Sequence, residues 1–290
     1  MRIGCDVGPQ WYGDLKWDKW NLPSVSTSLR NSITRSWMNQ RWWVNDPDCV
    51  LLRTTTRLTD DELRTIATVV TLTGGMFMLS DALAEVPAER LRIAKIMWPP
   101  FPNHANLIVP HLLEEQSPSV VFTQIENHTG AGFIYAVINW SGATSKKSVT
   151  FDDIPNKSSS GQYHCVEFWT SKYYSVQTGK PISVEIPPHG VRLFAVRKME
   201  DSEVRAQYLG SNLHFSCFNE VTYYSSGEDK VELTLNVNQK TDGFVYMSVP
   251  WDPKVSGTAS TGTKPERQGE RIWKIPVAVE PDGSSLVITR

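Results

Sequence analysis

The sequence lacks an excess of either charge. Its 290 residues carry 29 Lys and Arg against 31 Asp and Glu, a net charge of −2, and the basic residues are scattered. Surfaces that bind nucleic acid or anionic membranes collect Lys and Arg. A transmembrane helix needs roughly 20 consecutive apolar residues, and the sequence has no such run. We therefore expect neither a nucleic-acid nor a membrane partner, and secreted and cytoplasmic locations both stay open.

Cysteine and histidine, the usual zinc ligands, are also scarce. The four Cys have no CxxC spacing, and the six His form no ligand pattern. We therefore expect no metal and no cofactor. Cys5 and Cys49 each stand beside an aspartate, so a disulfide between them is conceivable. Two free, buried thiols are the interpretation we favour.

The first residues form a short apolar strand signal that runs into an acid. Met1–Asp6 reads Met-Arg-Ile-Gly-Cys-Asp, and Gly8 and Pro9 then turn the chain. A carboxylate just after the carboxyl end of a strand is where α/β barrels keep their chemistry. On these residues alone, an aspartate that merely caps the turn is an equally good interpretation of Asp6.

Residues 1 to about 100 alternate strand and helix signals. After the first strand, a helix is predicted over Ser24–Asn39, with Trp37 on its apolar stripe, and a strand over Arg41–Asn45. A second helix starts at Thr59, where a capping box with Glu62 is expected. A buried strand at Met76–Ser80 and a helix after Pro87 complete the pattern, which predicts parallel βα units. Trp98, which follows this helix, is interpreted as a core residue.

Beyond Pro99–Pro102 the apolar period changes from 3.6 to 2. This change predicts an antiparallel β-sandwich over residues 101–198 and a further β-rich region over 199–290. The segment Ser256–Glu270, rich in Gly, Ser, Thr and charge, is predicted to be a mobile loop. The predicted strands are Val120–Ile125, Gly132–Trp140, Ser148–Phe151, Tyr163–Trp169, Ile182–Ile186, Val191–Val196, Lys230–Val237, Gly243–Val249, Arg271–Val279 and Ser285–Thr289.

Three motifs in the first 100 residues resemble, in order, the sixth, seventh and eighth barrel strands of α-galactosidases of glycoside hydrolase family 36. They are Arg2–Asp6 with Pro9 and Trp11 after it, Trp43–Cys49, and Gly74–Asp81. The resemblance implies that residues 1–100 are the last three βα units of a (β/α)8 TIM barrel whose beginning is absent. It also implies that β-sandwich domains follow the barrel.

The resemblance also implies an activity, the retaining hydrolysis of terminal α-galactosyl residues in oligosaccharides or glycoconjugates. Asp6 matches the general acid/base, and Arg2 and Asp48 match residues that bind sugar hydroxyls. We add Trp11 to the sugar-binding set, because an aromatic face just beyond Asp6 can stack on a pyranose. Asp81 is interpreted as structural, because Ala82 stands where the family often has another acid.

Two points limit this interpretation. Arg2 and Asp6 lie about 13 Å apart along an extended strand, so both meet one sugar only if the chain curls after the strand. The family's nucleophile lies on the fourth barrel strand, and three of eight units do not include it. We therefore expect a chain that is inactive alone, with the missing barrel half as a partner. The alternative is a non-catalytic carbohydrate-binding protein in which the sandwich does the work.

Overall fold

A computed structural model describes residues 1–13, 23–100, 106–155, 161–200 and 205–290. Phe101 and Pro102 of the predicted break lie outside the described residues. The described helices are α1 (Val25–Thr34), α2 (Asp60–Thr73) and α3 (Ala88–Met97), with 3-10 turns at Ser36–Met38 and Leu83–Glu85. None of the described helices is both long enough and apolar enough to cross a membrane.

The described strands all follow the helices. They are β1 (Val120–Asn127), β2 (Gly130–Ile138), β3 (Ser145–Val149), β4 (Gln162–Glu167), β5 (Lys172–Gln177), β6 (Ile182–Ile186), β7 (Val191–Lys198), β8 (Gln207–Ser211), β9 (Val221–Ser226), β10 (Lys230–Leu235), β11 (Thr241–Ser248), β12 (Lys254–Ser256), β13 (Glu266–Arg267), β14 (Ile272–Val279) and β15 (Ser284–Thr289).

Helix α2 begins with the predicted capping box. The Thr59 hydroxyl accepts from the Glu62 N–H, and the Glu62 carboxylate accepts from the Thr59 N–H. Gly74 ends the helix in the left-handed region at φ 67°, a conformation that glycine adopts without a Cβ penalty.

Helix α1 is shorter than predicted. Ser24 caps it, Val25, Leu29 and Ile33 are buried as expected, and it ends at Thr34 rather than Asn39. Trp37 therefore lies in a 3-10 turn and is 41% exposed, so its assignment to the apolar stripe was wrong. The stripe fails because a 3-10 turn no longer follows the 3.6-residue period.

Three extended segments lie side by side in the first 80 residues. Arg2 pairs with Asp46 and Val50 pairs with Leu79, both in parallel. The connecting hydrogen bonds have ordinary lengths. For example, 2.9 Å separates the Asp46 N–H from the Met1 carbonyl, and 2.9 Å separates the Val50 N–H from the Met78 carbonyl. The chain order and parallel direction agree with βα units, while closure into a barrel stays a prediction.

The third segment, Met76–Ser80, is less buried than predicted. Met76 is 40% exposed, and Phe77 to Leu79 are only half-buried. Its hydrogen bonds run to the neighbouring segment, at Asn45 and Val50. In the described part of the chain this segment pairs on one side, and a segment at the edge of a sheet is less covered than one between two neighbours.

The strands form antiparallel pairs, as predicted for the β region. A five-stranded sheet has the order β1-β2-β7-β4-β5, and β3 pairs with β6. Two four-stranded sheets follow, ordered β12-β15-β10-β9 and β13-β14-β11-β8. The described residues are thus mostly β-sheet with few helices, which agrees with the predicted α/β plus all-β class.

The chain divides into two compact units that are interleaved along the sequence. Unit 1 comprises Met1–Thr123, Tyr135–Ser148 and Ser183–Leu193, and unit 2 comprises Gln124–Ile134, Val149–Ile182 and Phe194–Arg290. The domain boundaries expected near residues 100 and 198 stay a prediction.

The segment Ser256–Glu270 is anchored rather than free. Ala259 is fully buried; its N–H donates to the Ser285 carbonyl at 2.9 Å, and its carbonyl accepts from the Ala278 N–H at 3.0 Å. Composition indicates a polar loop, but it does not reveal pairing with strands that lie 20 residues further along the chain.

Candidate functional site

The guanidinium of Arg2 holds three carboxylates together. Its Nε lies 3.2 Å from Asp46, and its Nη1 lies 2.9 Å from Asp6 and 3.0 Å from Asp48. Asp6 belongs to the same segment as Arg2, whereas Asp46 and Asp48 belong to the neighbouring one. This Arg2 cluster therefore forms where two parallel segments end side by side.

The chain curls directly after the first segment, which is the condition required for Arg2 and Asp6 to meet. The backbone bends at Gly4 and Cys5. A Cβ at Gly4 would come within 2.8 Å of the Asn31 side-chain nitrogen, so a larger residue here would have to displace Asn31 of helix α1. Arg2 and Asp6 are consequently in contact rather than about 13 Å apart, the separation of an extended strand.

Asp48 is held more firmly than Asp6. Its carboxylate accepts from the Val7 N–H at 2.7 Å and from the Cys49 N–H at 2.8 Å. Its backbone has φ 74°, an unusual value for a non-glycine residue. Asp48 thus ties the loop after Asp6 to the second segment, in addition to binding Arg2.

Asp46 was not among the predicted site residues. Its carboxylate contacts Arg2 and also accepts from the Asp48 N–H at 2.8 Å. The signal was its i, i+2 spacing from Asp48, since alternate residues of an extended segment share one side. The link to Arg2, 44 residues away, could not be seen without the parallel pairing.

Burial separates the roles of the three acids. The side chains of Asp46 and Asp48 are 18% and 13% exposed, whereas that of Asp6 is 83% exposed. Burial alone lowers the pKa of Arg2, but the hydrogen bond to Asp46 and the charges of Asp48 and Asp6 outweigh it. The net result is a raised pKa for Arg2. The cluster therefore offers one accessible carboxylate beside a permanent cation.

Trp11 does not lie where we expected it. It is 4% exposed, and its ring stacks on His189 at 4.6 Å between centroids, with Trp140 at 5.8 Å. An indole that stacks on a pyranose must leave at least one ring face accessible. We therefore correct the prediction, since Trp11 is a core residue that anchors the loop after Asp6.

Asp81 matches the structural interpretation. Its side chain is fully buried and accepts from the N–H groups of Leu52 and Arg53, at 2.7 and 3.2 Å. Cys5 and Cys49 are free thiols, as expected, but both are half-buried rather than buried. Burial raises the pKa of Cys49, which lowers the fraction of reactive thiolate.

An open groove of about 760 Å³ runs beside the first segment. It is lined by Met1–Cys5 and by Thr27, Asn31, Arg35, Met38 and Trp43. Arg2 contributes to it, while Asp6 beyond the bend does not. In the ranges that the structure describes, no cluster of His, Cys, Asp or Glu is arranged to hold a metal ion.

The fold resembles that of known glycosidases at low sequence identity. Two structures of α-galactosidase from Saccharomyces cerevisiae, one of them with raffinose, match 68% of this chain at 12% identity, with TM-scores of 0.50 and 0.51. α-Galactosidase I from Mortierella vinacea gives 17% identity over 67% of this chain and 52% of its own, with a TM-score of 0.46, which is too low to carry an argument. No protein-family model matches the sequence.

The yeast comparison supports a shared fold and nothing finer. The chain spans 59% of the length of the yeast α-galactosidase that it matches. At 12% identity this similarity does not distinguish family 36 from related glycosidase families, so membership of that family stays a prediction.

Proposed function

We propose that this chain carries part of the active site of an α-galactosidase-like retaining glycosidase of family 36 type. Asp6 is the general acid/base, and Arg2 and Asp48 bind sugar hydroxyls. The substrate is a terminal α-galactosyl group of an oligosaccharide or glycoconjugate. Support comes from the motif order, the fold similarity to yeast α-galactosidase and the convergence of these residues at the ends of parallel segments.

The observation that carries the proposal is the Arg2 cluster. A guanidinium offers five donors, and carboxylates offer only acceptors, so together they can bind both sides of a sugar hydroxyl pair. Asp6 is the exposed member of the cluster, as the residue that exchanges a proton with substrate must be. To donate that proton, Asp6 has to leave its contact with Arg2.

The cluster also limits where a second carboxylate could come from. Asp6 and Asp48 both lie near 3 Å from Arg2 Nη1, so their nearest oxygens are at most about 6 Å apart, close to the roughly 5 Å of retaining pairs. Arg2 nevertheless forms an ion pair with each of them, and Asp48 is also held by the Val7 N–H. We therefore assign Asp48 to binding and place the nucleophile outside this cluster.

Replacing Asp6 tests the acid/base role. In a form of the protein that hydrolyses α-galactosides, Asp6→Asn should lower kcat/KM for raffinose by about 10²–10⁴-fold, because no proton reaches the leaving oxygen. Aryl α-galactosides with good leaving groups need little protonation and should lose much less. Equal losses on both substrates would remove Asp6 from the role.

Replacing Asp48 tests the binding role. Asp48→Asn should raise KM for galactosides by about tenfold or more and should also lower kcat/KM. The matched control is Asp81→Asn, a buried carboxylate outside the cluster, which should lower the free energy of unfolding and leave KM within about twofold. Unchanged kinetics in Asp48→Asn would make Asp48 purely structural.

The purified chain provides a further test of the nucleophile assignment. It should show no hydrolysis of raffinose or aryl α-galactosides, because the carboxylates that share Arg2 with Asp6 are held in ion pairs with that guanidinium. If it does hydrolyse them and Asp48→Asn abolishes the activity, Asp48 is the second catalytic carboxylate and our assignment is wrong.

A further inference from the structure

Unit 2 contains two adjoining cavities that the glycosidase proposal does not use. The larger, of about 330 Å³, lies among β4, β5, β8 and the start of β14, and the smaller measures about 240 Å³. Both include Glu270 in their walls. Together they fall in the size range of small-molecule sites. We call them the polar cavity and the aromatic cavity.

The wall of the polar cavity combines buried hydrogen-bonding groups with exposed charged groups. His164, Gln207 and Ser248 are buried, and His164 Nδ1 lies 2.8 Å from the Tyr173 hydroxyl. The exposed residues of the wall include Glu200 and Glu270. Met199 and Ile272 add apolar surface. A wall with hydroxyl, amide and imidazole groups beside apolar patches suits a polyhydroxylated ligand.

The charges of the polar cavity balance. Its walls hold two acids, Glu200 and Glu270, and two arginines, Arg205 and Arg271. Burial, with the charges of Arg197 and Arg271, lowers the pKa of His164 to about 4, so the imidazole is neutral near pH 7. A neutral wall gives no preference to a phosphate, an acidic sugar or a cation.

The aromatic cavity is lined by two indoles. Trp251 and Trp273 lie in its wall together with Asp252, Arg267 and Glu270. Within the described ranges, both indole N–H groups are buried and have no acceptor. Buried donors are normally satisfied, so these two N–H groups are available to a ligand hydroxyl once the side chains that cover them move. The Arg267 guanidinium lies over the Trp273 ring, 5.6 Å from its centroid, so Trp251 is the ring that suits the apolar face of a pyranose.

Hydrogen bonds fix the loops around both cavities. The Val249 N–H donates to the Arg271 carbonyl at 2.8 Å, and the Gln268 N–H donates to the Ile272 carbonyl at 2.8 Å. Arg267 Nη2 donates to the Glu270 carbonyl at 2.7 Å. Preformed walls reduce the entropy lost when a ligand binds.

We propose that these cavities form a binding site for neutral carbohydrate, with one pyranose in the polar cavity and the next sugar unit against Trp251. The site lies wholly within unit 2 and contains none of the residues assigned to catalysis. It is therefore independent of the glycosidase proposal.

Ligand binding by the purified full chain tests this site. Methyl α-galactopyranoside, methyl α-glucopyranoside and raffinose serve as neutral probes, and glucuronate serves as the charged probe. Titration calorimetry and saturation-transfer NMR should detect at least one neutral probe with a millimolar Kd and weaker binding of glucuronate. Trp251→Ala should weaken binding by about fivefold or more.

Two further variants guard against a folding effect. Ser175→Trp places a bulky side chain at an exposed position in the wall of the polar cavity, and it should block binding without changing the core. Tyr223→Ala removes an exposed aromatic of unit 2 outside both cavities, and it should leave Kd within about twofold. Circular dichroism checks that each variant is folded.

The outcomes separate this proposal from the catalytic one. Asp6→Asn should leave Kd unchanged, since Asp6 belongs to the Arg2 cluster. The proposal is wrong if no neutral probe binds, or if glucuronate binds more tightly than all of them. It is also wrong if Asp6→Asn abolishes binding while Trp251→Ala and Ser175→Trp do not. None of these results requires hydrolytic activity.

Discussion

The two units differ in what they leave uncovered. Of the eleven large hydrophobic side chains that are exposed in the described residues, ten belong to unit 1 and only Tyr223 belongs to unit 2. The ten are Met1, Tyr12, Trp37, Trp42, Val44, Met76, Leu83, Trp98, Ile108 and Leu113. Singly exposed hydrophobic side chains are common on protein surfaces, so the difference between the units lies in how completely their apolar side chains are covered. Trp98, at 50% exposed, also corrects our sequence-based assignment of this residue to the core.

Unit 2 also buries two charged side chains, Glu220 and Arg197. Glu220 is 1% exposed, and its carboxylate accepts from the hydroxyls of Tyr208 and Ser211, both at 2.5 Å. Arg197 is 2% exposed and donates to the Thr129 hydroxyl at 2.8 Å. Burial lowers the pKa of Arg197 to about 10.

The difference between the units shows that antiparallel strands find hydrogen-bonding neighbours within the chain more readily than parallel strands do. Each central strand of unit 2, such as β10 between β15 and β9, has neighbours within the chain. The parallel segments of unit 1 depend on neighbours that lie far away in sequence. Three measurements can test this contrast between the units.

Hydrogen exchange should show the largest difference. Amides of β10 at Val231–Leu235 should open only with global unfolding, whereas Met76–Ser80 should open with a free energy lower by about 5 kcal/mol, a few thousandfold in exchange rate. The physical reason is that Met76–Ser80 is half-exposed and paired on one side. Equal protection of both segments in a monomeric sample would remove the contrast.

Trp11→Ala should cost about 3–5 kcal/mol of unfolding free energy, because it removes a buried indole from its stack on His189. The matched control is Trp42→Ala, at 64% exposed, for which we expect about 1 kcal/mol or less. Urea denaturation measures both. If Trp11→Ala instead keeps its stability and loses sugar binding, the placement at the sugar was right.

His164 should make the stability of unit 2 depend on pH. Its pKa is about 4 in the folded state and about 6.5 when unfolded, so the unfolded state binds more protons between these values. Stability should therefore be full above pH 6.5 and fall by about 3 kcal/mol as the pH drops to 4. His164→Gln should flatten this dependence, and the exposed control His111→Gln should not. Parallel curves for wild type and His164→Gln would contradict the assignment.

Local signals were predicted well. The capping box of Thr59 and Glu62 spans three residues, and Ile182–Ile186 is a strand with the predicted bounds. Strands β5, β8, β9, β12 and β13 were missed. Lys172–Gln177 alternates weakly, and it is a strand because it pairs with β4 from Gln162 to Glu167. Such pairing is a property of two segments, so one segment read alone does not reveal it.

The candidate site was also predictable only in part. The order of the motifs and the types of residue in them placed Arg2, Asp6 and Asp48 in one proposal before any geometry was known. Their contacts required the bend at Gly4 and a parallel neighbour more than 40 residues away, which also brought in Asp46.

Local sequence patterns predicted the alternation of extended segments and helices, the capping box of α2 and the change of period near residue 100, because these depend on neighbours a few residues apart. Only the tertiary structure decided that Trp11 is buried, that Trp37 and Trp98 are exposed and that Ser256–Glu270 is anchored. Whether a tryptophan faces water depends on which distant segments cover it, and hydrophobicity is the same in either place.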